Sequence, residues 1–209
     1  MLHADENWFI LLLEGVIVAL VLFRILAAIR GKVPFIRRIA GLTAIDEAVG
    51  RATEMGRPIL MVPGLSTLGV VGLQALNVFK YITRTAARFA TPIRLCVSDA
   101  PLYAVGQEVI QDAYALEGKP ESYDPDSVQF VSGAQFAFAA GVSGIIQREQ
   151  VAATFLLGEF YAESLIFAET ANMVGAIQVA GTTLTTQTPF FVAACDYVII
   201  GDEFYAASA

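Results

Sequence analysis

The sequence predicts an α/β fold: an N-terminal transmembrane helix followed by a Rossmann-like, mostly parallel sheet covered by helices. Three observations predict it. The chain opens with a long apolar run, NWFILLLEGVIVALVLFRILAAIRGK. After it, short apolar stretches alternate with longer helix-like segments, which is the pattern of parallel βα units. Those short stretches are apolar throughout, as expected of strands covered on both faces.

Residues 1–7 form an outer tail, and 8–29 the span. At about 1.5 Å per residue, Trp8 to Ile29 crosses a hydrocarbon core of about 30 Å. A cleaved signal peptide needs a basic start, and Asp5 and Glu6 stand there instead, so the helix reads as a retained anchor. Arg24, Arg30, Lys32, Arg37 and Arg38 all follow the apolar centre. This places the N-terminus outside and the main domain in the cytoplasm, with a single pass through the cell's inner (plasma) membrane.

Glu14 sits inside the span. A carboxylate there costs a few kcal/mol, about 3 on insertion scales. Either it protonates or snorkels outward, or it faces another helix. Gly15 and Ala19 make a small-xxx-small pair beside it, with Val18 on the same stripe, which favours a helix–helix interface of Glu14, Gly15, Val18 and Ala19.

Residues 30–42, RGKVPFIRRIAGL, form a basic linker, in which Pro34 opposes a continuous helix and Arg30, Lys32, Arg37 and Arg38 suit anionic lipid headgroups. The cytoplasmic domain is 43–209. Its first helix takes Thr43 as N-cap, carries a Glu47–Arg51 pair and stops at Gly56 and Pro58. Strands follow at 59–62, 93–97, 128–131, 151–157, 177–180 and 197–200. Helices lie between them at 68–89, 101–117, 134–148, 160–174 and about 186–194. TPFFVAACDYVII reads as one long strand or as a helix and a strand. The helices 68–89 and 134–148 are apolar around most of their circumference, so they are expected to be buried on two sides. The hydrophobic content, 56%, is too high for the span alone to account for, and the second side is expected to be another protomer.

From residue 39 onward there are 8 basic and 17 acidic residues, a net of −9. An acidic domain lacks the footprint that nucleic-acid phosphates require, so no nucleic-acid partner is expected. Each strand ends in small or polar residues, at the carboxyl edge where open parallel sheets bind ligands. The candidate ligand residues are Gly64, Ser66, Thr67, Ser98, Asp99, Gly181, Thr182 and Thr183; similar groups stand at Ser132–Gly133, Gly158–Glu159 and Gly201–Glu203. The plainer reading is that they cap the following helices.

Catalytic signals are thin. PGLSTLG lacks the lysine and spacing of a P-loop, and neither G-x-G-x-x-G after a strand nor G-x-S-x-G occurs, so no cofactor and no catalytic residue is predicted. His3 is the single histidine and lies across the membrane from the domain, so no metal site is predicted. Cys96 and Cys195 are far apart in apolar runs and read as buried, reduced thiols, with nucleophile as the remaining option. Glu159 and Glu163 are one turn apart, with Glu169 further on; helix-borne glutamates can bind a cation or share a proton, but the plainer reading is water-facing charges at a helix start. Lys80, Arg84 and Arg88 form a basic stripe, either complementing the helix C-terminus or contacting headgroups or an acidic neighbour.

At AIDEAVGRATEMGRPILMVPG, GVSGIIQREQVAATFLLGEFYAESLIFAET and PFFVAACDYVIIGDEFYAASA, the chain resembles a bacterial family of membrane proteins known only by a domain of unknown function. The resemblance covers most of the chain from about residue 40 and carries no catalytic assignment. It implies that relatives continue past the equivalent of Ala209, into further membrane segments. The expected function is that of a membrane-anchored, self-associating structural or accessory protein of a larger membrane assembly. The alternative is a ligand-binding or enzymatic domain that uses the carboxyl edge for an anionic or nucleotide-like ligand.

Overall fold

The computed structural model describes residues 8–29, 40–201 and 203–207. The chain divides into two units, 1–37 and 38–209. The first contains α1 (Trp8–Ile29), which by length and composition is able to cross a membrane. Its side chains are exposed from Trp8 to Leu26, the Glu14, Gly15, Val18 and Ala19 stripe among them. Arg30, Lys32, Arg37 and Arg38 lie outside the described residues, as does His3.

In the second unit, α2 (Ala40–Met55) leads into β1 (Ile59–Gly64), α3 (Val70–Arg88), β2 (Ile93–Val97), α4 (Ala100–Leu116) and β3 (Val128–Phe130). The chain then crosses over through α5 (Gln135–Glu149) to β4 (Ala153–Glu159), α6 (Glu163–Met173), β5 (Ile177–Thr182), α7 (Thr188–Ala194), β6 (Tyr197–Ile200) and α8 (Glu203–Ala207). All strand pairs are parallel, in the order β3-β2-β1-β4-β5-β6. This is the doubly wound order, with its switch point between β1 and β4.

Alternate strand residues feed two cores. Ile59, Met61, Leu95, Phe155 and Val179 point to the face covered by α2, α3 and α4. Leu60, Val62, Cys96, Leu156 and Ala180 point to the face covered by α5, α6 and α7. There Phe160 packs edge-on to Phe191, with ring centroids 5.2 Å apart, and Phe138 edge-on to Phe167 at 5.8 Å. Such contacts add about 1 kcal/mol each beyond burial.

Several expectations need correction. Thr43 does not cap α2: the helix starts at Ala40, because the breaker Pro34 lies further upstream and nothing in Ala40–Gly41–Leu42 forbids another turn. Glu47 accepts a hydrogen bond from the Tyr197 hydroxyl, 2.8 Å, rather than serving only a helix-surface pair with Arg51. Strand β4 runs two residues later than expected, because Gly158 and Glu159 still pair with β5 and β1. The ambiguous TPFFVAACDYVII is a helix and a strand, α7 and β6. Among the described residues helix α5 buries one face, with Phe138, Val142 and Ile146 towards the core, while Phe136, Ala137 and Ala140 are exposed on the face expected to meet another protomer. Its outer positions are apolar but mostly small, which sequence periodicity reads as a second buried face.

The helices stop by backbone chemistry. Gly56, Gly118 and Gly175 take positive φ after α2, α4 and α6, and two carbonyls of each last turn accept bonds from the amides beyond. This is the Schellman arrangement, in which glycine adopts the left-handed conformation without steric cost. After α3 the same position is Ala90, at φ 54°.

Candidate functional site

Strand β1 ends in Val62–Pro63–Gly64. Proline has no N–H to give to a ladder, so in a central strand it belongs at a bulge. The register between β1 and β4 slips there: Val62 pairs with Leu156, but Gly64 pairs with Glu159. The extra residue on β4 makes room for a side chain, and Ser66 fills it. Its hydroxyl donates to the Pro63 carbonyl (2.7 Å) and accepts from the Glu159 amide (2.9 Å), replacing the missing rung. The Leu65 amide then donates to the Glu159 carbonyl at 2.8 Å, carrying the seam into the loop.

The backbones meet closely along this seam. A Cβ at Gly64 would stand 2.1 Å from the Glu159 carbonyl oxygen, and one at Gly158 would stand 2.2 Å from that of Pro63. Both glycines also hold positive φ. Doubly wound folds bind ligands in the crevice outside the carboxyl ends of the strands, at the switch point. Here that crevice is filled by main chain and by the Ser66 hydroxyl, which is fully buried.

The neighbouring candidates serve the same closure. The Ser98 hydroxyl donates to the Gly64 carbonyl, 2.8 Å. One oxygen of Asp99 accepts from the Leu102 amide, capping α4, and from the Leu68 amide in the loop before α3, both at 3.1 Å. The chain's own carboxylate thus occupies the amide cradle where a ligand anion would go. Thr67 is exposed, and its carbonyl accepts from the Gly69 amide at 2.7 Å.

The β5 group stands apart from this closure. Gly181 faces the core, where a Cβ would meet Ile199, Leu157 and Phe204. The Thr182 hydroxyl accepts from the Leu184 amide, 3.2 Å, and Thr183 is half-buried. Thr182, Thr185, Thr188, Pro189, Val192, Ile200 and Gly201 line a groove of about 330 Å³. Elsewhere on the edge the Ser132 hydroxyl accepts from the Ala134 amide.

The glutamates depart from expectation. Glu159 ends β4 rather than lying on a helix, and Glu163, first residue of α6, is fully buried rather than water-facing. Its two oxygens accept from the Gln135 amide group (2.6 Å) and the Tyr161 backbone N–H (3.0 Å). Ser164 donates to the Tyr161 carbonyl and lies 3.1 Å from the Gln187 side chain. A polar chain therefore links the starts of α5, α6 and α7. Spacing alone does not disclose it, because Gln135 and Gln187 are remote from Glu163 in sequence.

The basic stripe of α3 is satisfied internally. Lys80 pairs with Asp112, while Arg84 and Arg88 pair with Glu117 at 2.7 and 2.9 Å. Hydrogen bonds from Arg88 and Arg84 hold the Glu117 carboxyl down at about 2. Arg94 meets Glu149 and Asp124 nearby. Both thiols are free. Burial pushes Cys96 and Cys195 up to about 12, so neither supplies a thiolate near neutral pH.

Together these features define a class: a Rossmann-like α/β domain with a sealed switch point, on a chain that carries a membrane-length apolar helix. The chain belongs to the family described as a domain of unknown function, DUF6754, whose pattern matches residues 2–209. Comparison with curated proteins and with solved structures found no match.

Proposed function

We propose that this protein is a membrane-anchored structural or accessory component that works by assembling, as a homo-oligomer or within a larger membrane complex. The N-terminus lies outside the plasma membrane and the α/β domain in the cytoplasm. The observation that carries this reading is the closure of the switch-point crevice by Pro63, Gly64, Ser66 and Gly158–Glu159, which removes the usual ligand site of the fold. Protonated thiols and internally paired arginines support it. So does the exposed Glu14, Gly15, Val18 and Ala19 stripe, which suits close packing of helices in lipid. Light scattering on the full chain in detergent tests it. The expected mass of the protein part is a multiple of 22.4 kDa, and Gly15→Leu lowers it; a clean monomer contradicts the proposal.

A second reading has one observation in its favour, the open threonine-lined groove beside Thr182. A small ligand there would raise the unfolding temperature of the full chain, and Thr182→Val would remove the rise.

A further inference from the structure

The loops at the two ends of the sheet differ in charge. Those after β1 to β5 are LSTLG (65–69), SD (98–99), VSGA (131–134), FYA (160–162) and TLTTQ (183–187). Their single charged residue is Asp99, whose carboxylate is held by two amides; at the same edge Glu159 ends β4 and Glu203 follows β6. Apolar side chains project instead: Val70 is 68% exposed and Phe136 75%, with Leu68 and Tyr161 beside them in the same set of turns. At the opposite end the turns carry Arg57, Glu117, Lys119, Glu121, Asp124, Asp126 and Asp196. Exposed apolar groups such as Phe89 and Met173 occur there too, but among charges.

The chain enters the domain at the carboxyl end of the sheet. Tyr197 is level with Met61 through the pairs Met61–Phe155, Phe155–Val179 and Val179–Tyr197, and its hydroxyl meets Glu47. From Glu47, α2 descends to Thr53, whose hydroxyl lies 2.6 Å from that of Thr91, just before β2. In the other direction Ala40 lies about 10 Å above Glu47, at about 1.5 Å per residue. That is the level of Gly64, the carboxyl edge. The residues immediately preceding Ala40 are the basic linker, which follows the apolar run of α1.

We propose that the carboxyl edge is a lipid-contacting face, with Leu68, Val70, Phe136 and Tyr161 resting in the headgroup region of the membrane. The proposal rests on the anchoring reading above. Two observations select lipid as the occupant: chain entry at this edge and a basic segment leading into it. The domain carries a net −9 from residue 39 onward, so the basic segment that precedes it supplies the attraction to an anionic bilayer. Exposed aromatic and aliphatic side chains without charge are what the acyl–headgroup boundary accepts.

Depth-dependent fluorescence quenching tests it on the full chain in liposomes containing spin-labelled lipids. Trp8 is the sole tryptophan, so the unmodified protein reports on the anchor. In a Trp8→Phe background, Phe136→Trp probes the carboxyl edge and Phe89→Trp the amino edge; both positions are exposed and tolerate the larger ring. The expected result is quenching of Trp8 and of the Phe136→Trp probe, each by about half, with the Phe89→Trp probe unaffected. Quenching of Trp8 with none at the Phe136→Trp probe overturns the lipid contact and leaves the anchor standing. A concentration-dependent blue shift there without quenching overturns it in favour of a second copy. No quenching of Trp8 overturns the anchor itself.

Discussion

The two ends of the sheet are built by different means. At the amino end, charged side chains hold the turns: Arg84 and Arg88 on Glu117, Arg94 on Glu149 and Asp124. At the carboxyl end, backbone and small hydroxyls do so, through Ser66, Ser98 and the glycines of β1 and β4. Ion pairs at a surface are individually weak, about 0–1 kcal/mol, and yield to pH and salt. A close-packed main-chain seam is indifferent to both but does not tolerate an added methyl group. The difference teaches that the end where this fold usually holds a ligand is here held together by main chain and hydroxyls rather than by ion pairs.

Glycine substitutions probe that difference most strongly. Gly158→Ala puts a Cβ against the Pro63 carbonyl at strained φ, and its expected cost is about 4 kcal/mol or loss of the fold. Gly118→Ala and Gly175→Ala, at amino-end helix stops where a Cβ meets nothing within 4 Å, cost about 1 kcal/mol. Denaturant unfolding of the full chain in detergent checks all three, and equal losses at the two ends would break the comparison. Ser66→Ala comes next. It leaves the Glu159 amide without its acceptor in a buried setting, at an expected cost of about 2 kcal/mol.

Acid acts on the other end. The Glu117 carboxyl is held below its ordinary value, so its contribution is present above about 4.5 and lost as pH falls toward about 2. Unfolding temperature should fall over that interval, and Glu117→Gln should lower the neutral-pH value and flatten the decline. The smallest effect expected is a gain. Ala90→Gly relieves the left-handed conformation after α3 and should stabilise by about 0.5 kcal/mol, readable as a small rise in the denaturation midpoint.

Much of the fold is legible in the sequence. Strands β2 and β6 fall on IRLCV and YVII because continuous apolar runs bounded by turn residues have few other uses in a domain of this size. The strand order is not legible, since the crossover through α5 places β4 beside β1 for reasons of packing rather than local pattern. The candidate edge residues are legible as turn and cap formers, and Asp99 and Ser66 act so. That they also shut the crevice depends on a contact between residues 63–66 and 158–159, remote in sequence. Pro63 inside ILMVPG and Gly158 inside TFLLGE were the available signals, each a residue that a regular central strand avoids. Burial of Glu163 had no local signal, because its partner Gln135 comes from another helix.

Amide hydrogen exchange at Leu65 and Glu159 addresses the sealed crevice most directly. With the seam intact, both amides should exchange as slowly as those of Met61 and Phe155 in the β1–β4 ladder, with or without added nucleotide. Loop-like exchange at either amide, or slowing on addition of nucleotide, would mean that the crevice opens and that the domain is a binding module after all.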